Sequence, residues 1–362
     1  MRTARFVLAL VVTALLVTGC AAPAPTAAPA PPPTAANVAP TKVPATAAPA
    51  TSAPTAVPAK PFRIAMVTPS AKNDLAFSQS MYDALVALQN EMGKDKLEFA
   101  YSENMTAVAD AAAAIRDYAS KGYDLVIAHG SQYGSALPDI AKDFPKTAFA
   151  WGTTVDTFES KGVKNVFAYT VLSDQGGYVE GVMAAMLTKS GTIGVIGPIA
   201  AGDGKRTVDG FVAGVKATKP EANVQVQYTG SFSDVALASQ AAQTQISSGA
   251  DVLTGTGQMV VGAISVAKDK KVLWFGNQAS QTPLAPEIVV ANQVYDWTGV
   301  LKDIIANVKQ GTLGAKVFTL TLQNGGIKIE YNPSFKLPAE VKAAAEKASK
   351  GLADGTISTG VK

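Results

Sequence analysis

The sequence predicts two doubly wound, parallel-sheet α/β lobes joined by a hinge and preceded by a disordered tether. Three observations predict it: short β-rich runs alternate with Ala-rich stretches of helical length, the alternation occurs in two series of similar length, and a leader plus a low-complexity segment precede about 300 residues that begin at Pro61.

The leader comes first. Arg2 and Arg5 precede an apolar run from Phe6 to Val17, too short for a permanent span and flanked as an export signal is. Leu16-Val17-Thr18-Gly19-Cys20 looks like a bacterial lipobox: residues 1–19 would be removed, and Cys20, the only cysteine, would become the lipidated first residue. The alternative is an ordinary cleaved signal with an incidental cysteine. At about 0.8 kcal/mol per buried methylene, one acyl chain such as palmitate holds weakly, and two or more hold firmly.

Residues 20–60 follow as a linker of Ala, Pro and Thr, with Lys42 and Lys60 and no acid. Too few large apolar side chains are present to offset the ordering entropy. Extended as polyproline II, the segment reaches on the order of 120 Å. An O-glycosylated stalk is the competing reading, and either one is a spacer.

Charge and residue usage exclude several function classes. The chain has 31 Lys and Arg against 28 Asp and Glu, and the excess lies before Pro61, which leaves 27 basic against 28 acidic residues in the folded part. With no basic patch or tail, nucleic acid is not an expected partner. With Cys20 acylated, disulfides, thiol catalysis and cysteine metal sites fall away. A single histidine, His129, argues against zinc chemistry and a Ser-His-Asp hydrolase. No metal or cofactor is expected.

The first series of strands is Phe62-Val67, Leu97-Tyr101, Asp124-Ala128, Thr147-Ala150 and Asn165-Tyr169. The second is Thr192-Ile196, Val224-Tyr228, Asp251-Thr254, Val272-Phe275 and Ile288-Ala291. Helices are expected over Phe77 to Glu91, Thr106 to Ser120, Gln175 to Lys189, Asp234 to Ser248 and Trp297 to Gln310. The N-terminal lobe is expected to take 61–168 plus about 276–320, and the C-terminal lobe 169–275 plus about 321–350. Hinge crossings are expected near Tyr169 to Leu172, Phe275 to Asn277 and Thr319 to Leu322. Ligands of open α/β sheets bind beyond the C-terminal strand ends, here an interlobe cleft.

Two loops stand out at that edge. After the first strand, Thr68 to Gln79 leads into a helix; Asn73 or Asp74 can cap it, and Phe77 is either a core contact or a ring facing the cleft. After Tyr228, Gly230-Ser231-Phe232-Ser233-Asp234 repeats the arrangement, so one Phe from each lobe, at the equivalent place, can sandwich a planar ligand. His129 follows a strand at the same edge and either bonds a heterocycle or is a satisfied structural histidine. Tyr133, Trp151 and Trp297 read as core or hinge packing rather than cleft lining. Gly255-Thr256-Gly257-Gln258 lacks the trailing Lys-Ser/Thr of a phosphate loop and reads as a tight turn.

Residues 61 to 340 resemble the basic membrane protein family, the purine-nucleoside-receptor-like solute-binding lipoproteins of ABC transporters. Asp74-Leu75-Ala76-Phe77-Ser78-Gln79 is similar to the family's Asp-x-Ser-Phe-Asn-Gln loop, and Gly230 to Asp234 to its second aromatic loop. Gly181 to Met186, Gly194 to Gly197, Asp209 to Val215 and Gly249 to Val252 continue the match in order. The resemblance implies a type I periplasmic-binding-protein-like fold and a purine clamped between Phe77 and Phe232.

Departures matter as much. The family's Gly-Val-Asp-Ser-Asp-Gln reads Gly276-Asn277-Gln278-Ala279-Ser280-Gln281, so an amide, Asn277, replaces the carboxylate that would grip a ribose hydroxyl. Ser135 falls near the place of a nucleoside-binding aspartate, and Tyr295 replaces the family's lysine. An amide accepts fewer bonds than a carboxylate and also donates. A free nucleobase or another flat, uncharged heterocycle is therefore expected in place of an obligatory nucleoside. The candidate ligand residues are Asp74, Phe77, His129, Ser135, Phe232, Asn277 and Tyr295.

The expected function is that of a monomeric receptor, lipid-anchored on the extracytoplasmic face of the cell membrane, which captures a small solute and passes it to an ABC permease. The alternatives are a sensory receptor lipoprotein or a binder of another small polar solute such as a sugar. An enzyme is not expected, since no nucleophile-base pair or metal cluster stands out.

Overall fold

The computed structural model describes residues 60–361, so the leader, Cys20 and the linker call fall outside the described residues. Within them lie two six-stranded sheets. The first is built from β1 (Phe62–Val67), β2 (Leu97–Ser102), β3 (Leu125–Ala128), β4 (Ala148–Gly152) and β5 (Val166–Val171), with β11 (Val317–Leu320) at its far edge. Its order is β11-β5-β4-β3-β1-β2, and every ladder is parallel. The second contains β6 (Thr192–Gly197), β7 (Asn223–Tyr228), β8 (Val252–Gly255), β9 (Leu273–Gln278), β10 (Val289–Tyr295) and β12 (Ile327–Tyr331), in the order β12-β10-β9-β8-β6-β7. Only the β10–β12 ladder is antiparallel among them.

Both faces of each sheet are covered, which is why the inner strands read as continuous apolar runs. In lobe 1, Ile64 and Met66 face α1 (Phe77–Met92) and α8 (Thr298–Lys309). The alternate residues, Ala65 and Val67, face α2 (Val108–Ser120) and α3 (Leu137–Asp143). In lobe 2, α4 (Ser173–Leu187), α5 (Gly202–Thr218) and α9 (Ala339–Ala353) cover one face. The other is covered by α6 (Val235–Ser247) and α7 (Val260–Lys270).

The chain passes between the sheets three times: between β5 and α4, between β10 and α8, and between β11 and β12. The second passage corrects the sequence reading, which put it near Phe275 and gave 276–320 to lobe 1. Residues 273–295 form β9 and β10 side by side in the second sheet, with Gln293 in register with Asn277. The two strands are parallel and joined by a short loop with a 3-10 turn at Thr282–Leu284 instead of a covering helix. No local pattern marks such a connection as staying within one sheet.

Helices α4 and α5 pack backbone to backbone. A Cβ on Gly181 would lie 2.2 Å from the Phe211 carbonyl oxygen, and one on Gly214 2.0 Å from that of Tyr178. Glycine at these positions is what permits the approach. Gly214→Ala should lower stability by at least about 1–3 kcal/mol, since rigid backbone stands where the methyl group must go. Gly299→Ala, in α8 with nothing within 4 Å of the added carbon, should leave stability unchanged or raise it. Thermal unfolding of the two variants checks the contrast, and equal melting points would refute the packing account.

Candidate functional site

The C-terminal strand ends of both sheets carry the loops singled out in the sequence. On the lobe 1 side, Asp74 organises the turn from β1 into α1. Its carboxylate accepts the backbone N–H groups of Ala76, Ser78 and Gln79 at 2.9, 3.2 and 3.0 Å, and the Ser70 hydroxyl. Those bonds occupy the acceptor capacity of a carboxylate. Asp74 thus caps the start of α1, as one of the two sequence readings had it.

Phe77 opens α1 with its ring 8% exposed. One face lies flat on the His129 imidazole, with centroids 3.8 Å apart and planes within 7°. His129 is itself fully buried, with Nε2 2.9 Å from the Phe77 carbonyl oxygen and Nδ1 2.7 Å from the Tyr169 hydroxyl. A carbonyl only accepts, so Nε2 carries the proton and Nδ1 accepts from Tyr169. Both ring nitrogens are therefore bonded within the protein, and the imidazole backs the Phe77 ring. Burial pushes its pKa down to about 3, against the Phe77 carbonyl, and pushes that of Tyr169 well up.

Trp297 completes this wall. Fully buried, it lies just past the second passage, edge-on to Phe77, His129 and Tyr295 at 6.2, 5.9 and 6.0 Å and tilted against Tyr169 at 5.1 Å. Its indole N–H donates to the Ser80 hydroxyl at 2.9 Å. Ser135 ends a 3-10 turn after β3; it is exposed, and its hydroxyl donates to the Gln132 carbonyl at 3.2 Å.

On the lobe 2 side, Phe232 is 45% exposed in the loop between β7 and α6, whose first turn Asp234 caps by accepting the Leu237 N–H. The two Phe-bearing turns are not equivalent, contrary to expectation. Phe77 follows the strand next to the sheet edge, whereas Phe232 follows the edge strand itself, because β6 takes the place in its sheet that β1 has in the other. Asn277, near the end of β9, is 1% exposed. Its Oδ1 accepts from Gln293 Nε2 at 2.8 Å, while Nδ2 reaches the Gly255 carbonyl and the Thr254 hydroxyl only at 3.3 and 3.4 Å. Tyr295 is 3% exposed, turned into the fold beside Trp297.

Gln281, quoted in a motif but not counted as a site residue, bridges the lobes. Its Nε2 donates to the Leu75 carbonyl at 3.3 Å and the Asn277 carbonyl at 3.1 Å, and its Oε1 accepts from Trp274 at 2.8 Å. Leu75 (φ 52°) and Gln278 (φ 73°) are non-glycine residues in the left-handed region, one on each side of that bridge. The signal in the sequence was its place at the end of Gly276 to Gln281, a loop aimed across the strand edge.

Two surface hollows lie elsewhere. One of about 620 Å³ sits at the opposite, N-terminal edge of the first sheet, with Phe62, Arg63 and Lys96 in its wall. The other, about 450 Å³, lies between α5 and the chain end at Thr359. Among the described residues, no helix is long and apolar enough to cross a membrane.

The model of the family of PnrA-like ABC transporter substrate-binding proteins matches residues 62–359. The chain belongs to that family. A nucleoside-binding ABC transporter protein of Lactococcus lactis is 30% identical over 307 residues, covering 79% of this chain and 85% of its own length. A purine-binding protein of Brucella abortus is 27% identical over 263 residues, 73% of each chain. The solved solute-binding protein of an ABC transporter from Conexibacter woesei shares the fold of this PnrA-like chain, with a TM-score of 0.69 at 24% identity over 82% of this chain and 98% of that one.

The buried His129 makes a pH prediction. Its pKa lies below the unfolded value of 6.5, so its contribution is fully present above that value and is lost as pH falls toward about 3. Relative to His129→Gln, the wild-type protein should lose up to roughly 1.4 kcal/mol per pH unit below about 6.5. Denaturant unfolding of both proteins across that range measures it, and parallel curves would contradict a neutral, buried His129.

Proposed function

We propose that this substrate-binding protein captures a small, flat, uncharged heterocycle between its lobes, a purine nucleobase in preference to a nucleoside, and hands it to an ABC permease. The observation that carries the reading is the Phe77 ring, stacked on His129 at the lobe 1 edge, with the exposed Phe232 on the lobe 2 edge. A purine between two such rings gains stacking contacts that need no charge. The purine-binding and nucleoside-binding relatives support the ligand class.

Preference for the free base follows from what stands where ribose would be gripped. Asn277 offers no carboxylate, its Oδ1 already accepts from Gln293, and Tyr295 supplies no ammonium. Capture would proceed by hinge rotation at the three passages, with ligand favouring the closed population. The reading includes an extracytoplasmic site of action as a monomer, and a lipid anchor at Cys20, supported by the lipobox-like Leu16 to Cys20.

In calorimetric titrations hypoxanthine or adenine should bind more tightly than inosine or adenosine; the reverse order would refute the preference. Phe232→Ala, at an exposed position, should weaken binding of the base by about 1–3 kcal/mol, and Phe77→Ala at least as much. Unchanged affinity in either variant removes that ring from the site. Cys20→Ser should move the protein from the membrane fraction to the soluble one, and continued sedimentation with membranes would exclude the anchor.

A further inference from the structure

Four buried oxygens without hydrogen-bond partners lie along the seam between α4 and β10. They are both carboxyl oxygens of Glu180, the amide oxygen of Gln293 and the hydroxyl of Tyr295. Glu180 and Gln293 are completely buried. Gln293 and Tyr295 alternate along one face of β10, and Gly176 and Glu180 are one turn apart on one face of α4. The Gln293 amide lies directly on Gly176, where a Cβ would stand 2.3 Å from its Cδ and 2.5 Å from its Oε1. The Glu180 carboxyl faces the Gln293 backbone, about 6 Å further along the helix. The Tyr295 hydroxyl faces Ser173 and Thr207, whose own hydroxyls donate to the Asp203 carbonyl at 3.2 and 2.9 Å.

This seam is short of donors. An amide oxygen and two ionised carboxylate oxygens can only accept, and leaving them buried and unpaired is costly. One proton on Glu180 converts its carboxyl into a donor for Gln293 Oε1. The Gln293 amide is then fixed at both ends, its oxygen toward Glu180 and its NH2 on Asn277 Oδ1 at 2.8 Å. Asn277 in turn has its oxygen held by Gln293 and presents an NH2 with only long bonds, 3.3 and 3.4 Å, to Gly255 and Thr254.

We propose that Glu180 is a positioning residue that acts as a neutral acid: through Gln293 it fixes Asn277 as a hydrogen-bond donor, so that the ligand group received there is an acceptor, a carbonyl or a ring nitrogen. The inference rests on the reading of the cleft as a heterocycle site and names the edge of the heterocycle that lobe 2 recognises. An oxopurine carries such an edge, and its carbonyl or ring nitrogen is a pure acceptor matched to the Asn277 NH2.

Burial holds Glu180 protonated well above the usual carboxylate range, opposed only by the Gln293 backbone. The other charged or titratable groups facing the seam are few. Tyr295 comes from β10, raised by burial. From α5 come Asp203, pushed up to about 6 by burial against the pull of Arg206, and Arg206 itself, 3.4 Å from Asp174 at the start of α4. The charged residues of β12 are engaged elsewhere, Lys328 with Asp296 and Glu330 with Ser280. An acid whose folded pKa is raised contributes stability that is present below the unfolded value and lost as pH rises through the folded one.

The test compares wild type, E180Q, E180L, D203N and D203N/E180Q. Asp203 is common to wild type and E180Q, so its step near pH 6 cancels between them, and D203N is compared with D203N/E180Q as the control. Without ligand, wild type should lose melting temperature relative to E180Q, and D203N relative to D203N/E180Q, as pH rises from about 5 to 9. With hypoxanthine as probe, E180Q should bind within about threefold of wild type and stay flat with pH, while E180L should bind about tenfold more weakly or worse. Melting curves for wild type and E180Q that run parallel with pH, or an E180L protein that binds as wild type does, would overturn the proposal. A wild-type protein that binds no purine would refute the functional reading, and the ligand-free comparison then decides the state of Glu180.

Discussion

The burial of the Trp297 indole is the constraint on which the candidate site depends. Trp297 stands two residues past the end of β10, where the chain leaves the second sheet for the first. Its ring meets Tyr295 from one lobe and Phe77, His129 and Tyr169 from the other, and its N–H is satisfied by Ser80 on α1. An indole N–H buried without a partner would be expensive, so the Ser80 bond fixes the rotation of the ring. That orientation sets the edge against which Phe77 packs, while the His129 stack sets its face. A passage between the lobes and the packing around Phe77 are thus one unit.

Helix packing explains how an acid comes to be buried in the second lobe. The glycines of α4 and α5 bring the two backbones into contact, and α4 is covered all round. A helix fixed so closely cannot roll to lift Glu180 into water. The carboxyl must find partners where it is or give up its charge, and with no cation beside it and burial outweighing the Gln293 backbone donor, the second outcome is favoured. Sequence spacing, backbone approach and protonation state form one causal chain.

Much of the fold was legible in the sequence because doubly wound sheets bury their inner strands on both faces. β1, β3, β6 and β8 stand out as apolar runs for that reason. The edge strands β11 and β12 did not, since Val317 is exposed and Ile327-Lys328-Ile329-Glu330-Tyr331 alternates with charge. Which sheet β9 and β10 join is a long-range pairing that no local pattern encodes. At the site, position was readable but direction was not. His129 and Asp74 do stand at the ligand edge, yet their bonds run sideways into Phe77 and the α1 backbone. Glu180 carried a signal that went unused, a lone acid in Tyr178 to Leu187, a stretch otherwise of apolar and glycine residues.

The balance of polar groups at the strand edge bears on what such a site can hold. Asp74 caps a helix, His129 is neutral with both nitrogens bonded, and the Asn277 oxygen is partly engaged from within. What remains for a ligand is aromatic surface and a small number of donors, with no formal charge to neutralise a phosphate or a carboxylate. Affinity must then come from stacking and exclusion of water, and specificity from the few fixed donors, because a misplaced acceptor would leave buried groups unpaired. A charged nucleotide would lose its hydration and receive no compensating cation from these residues. A neutral ring system would lose little on entry and gain the full contact, which is the physical ground for proposing a base over its charged derivatives.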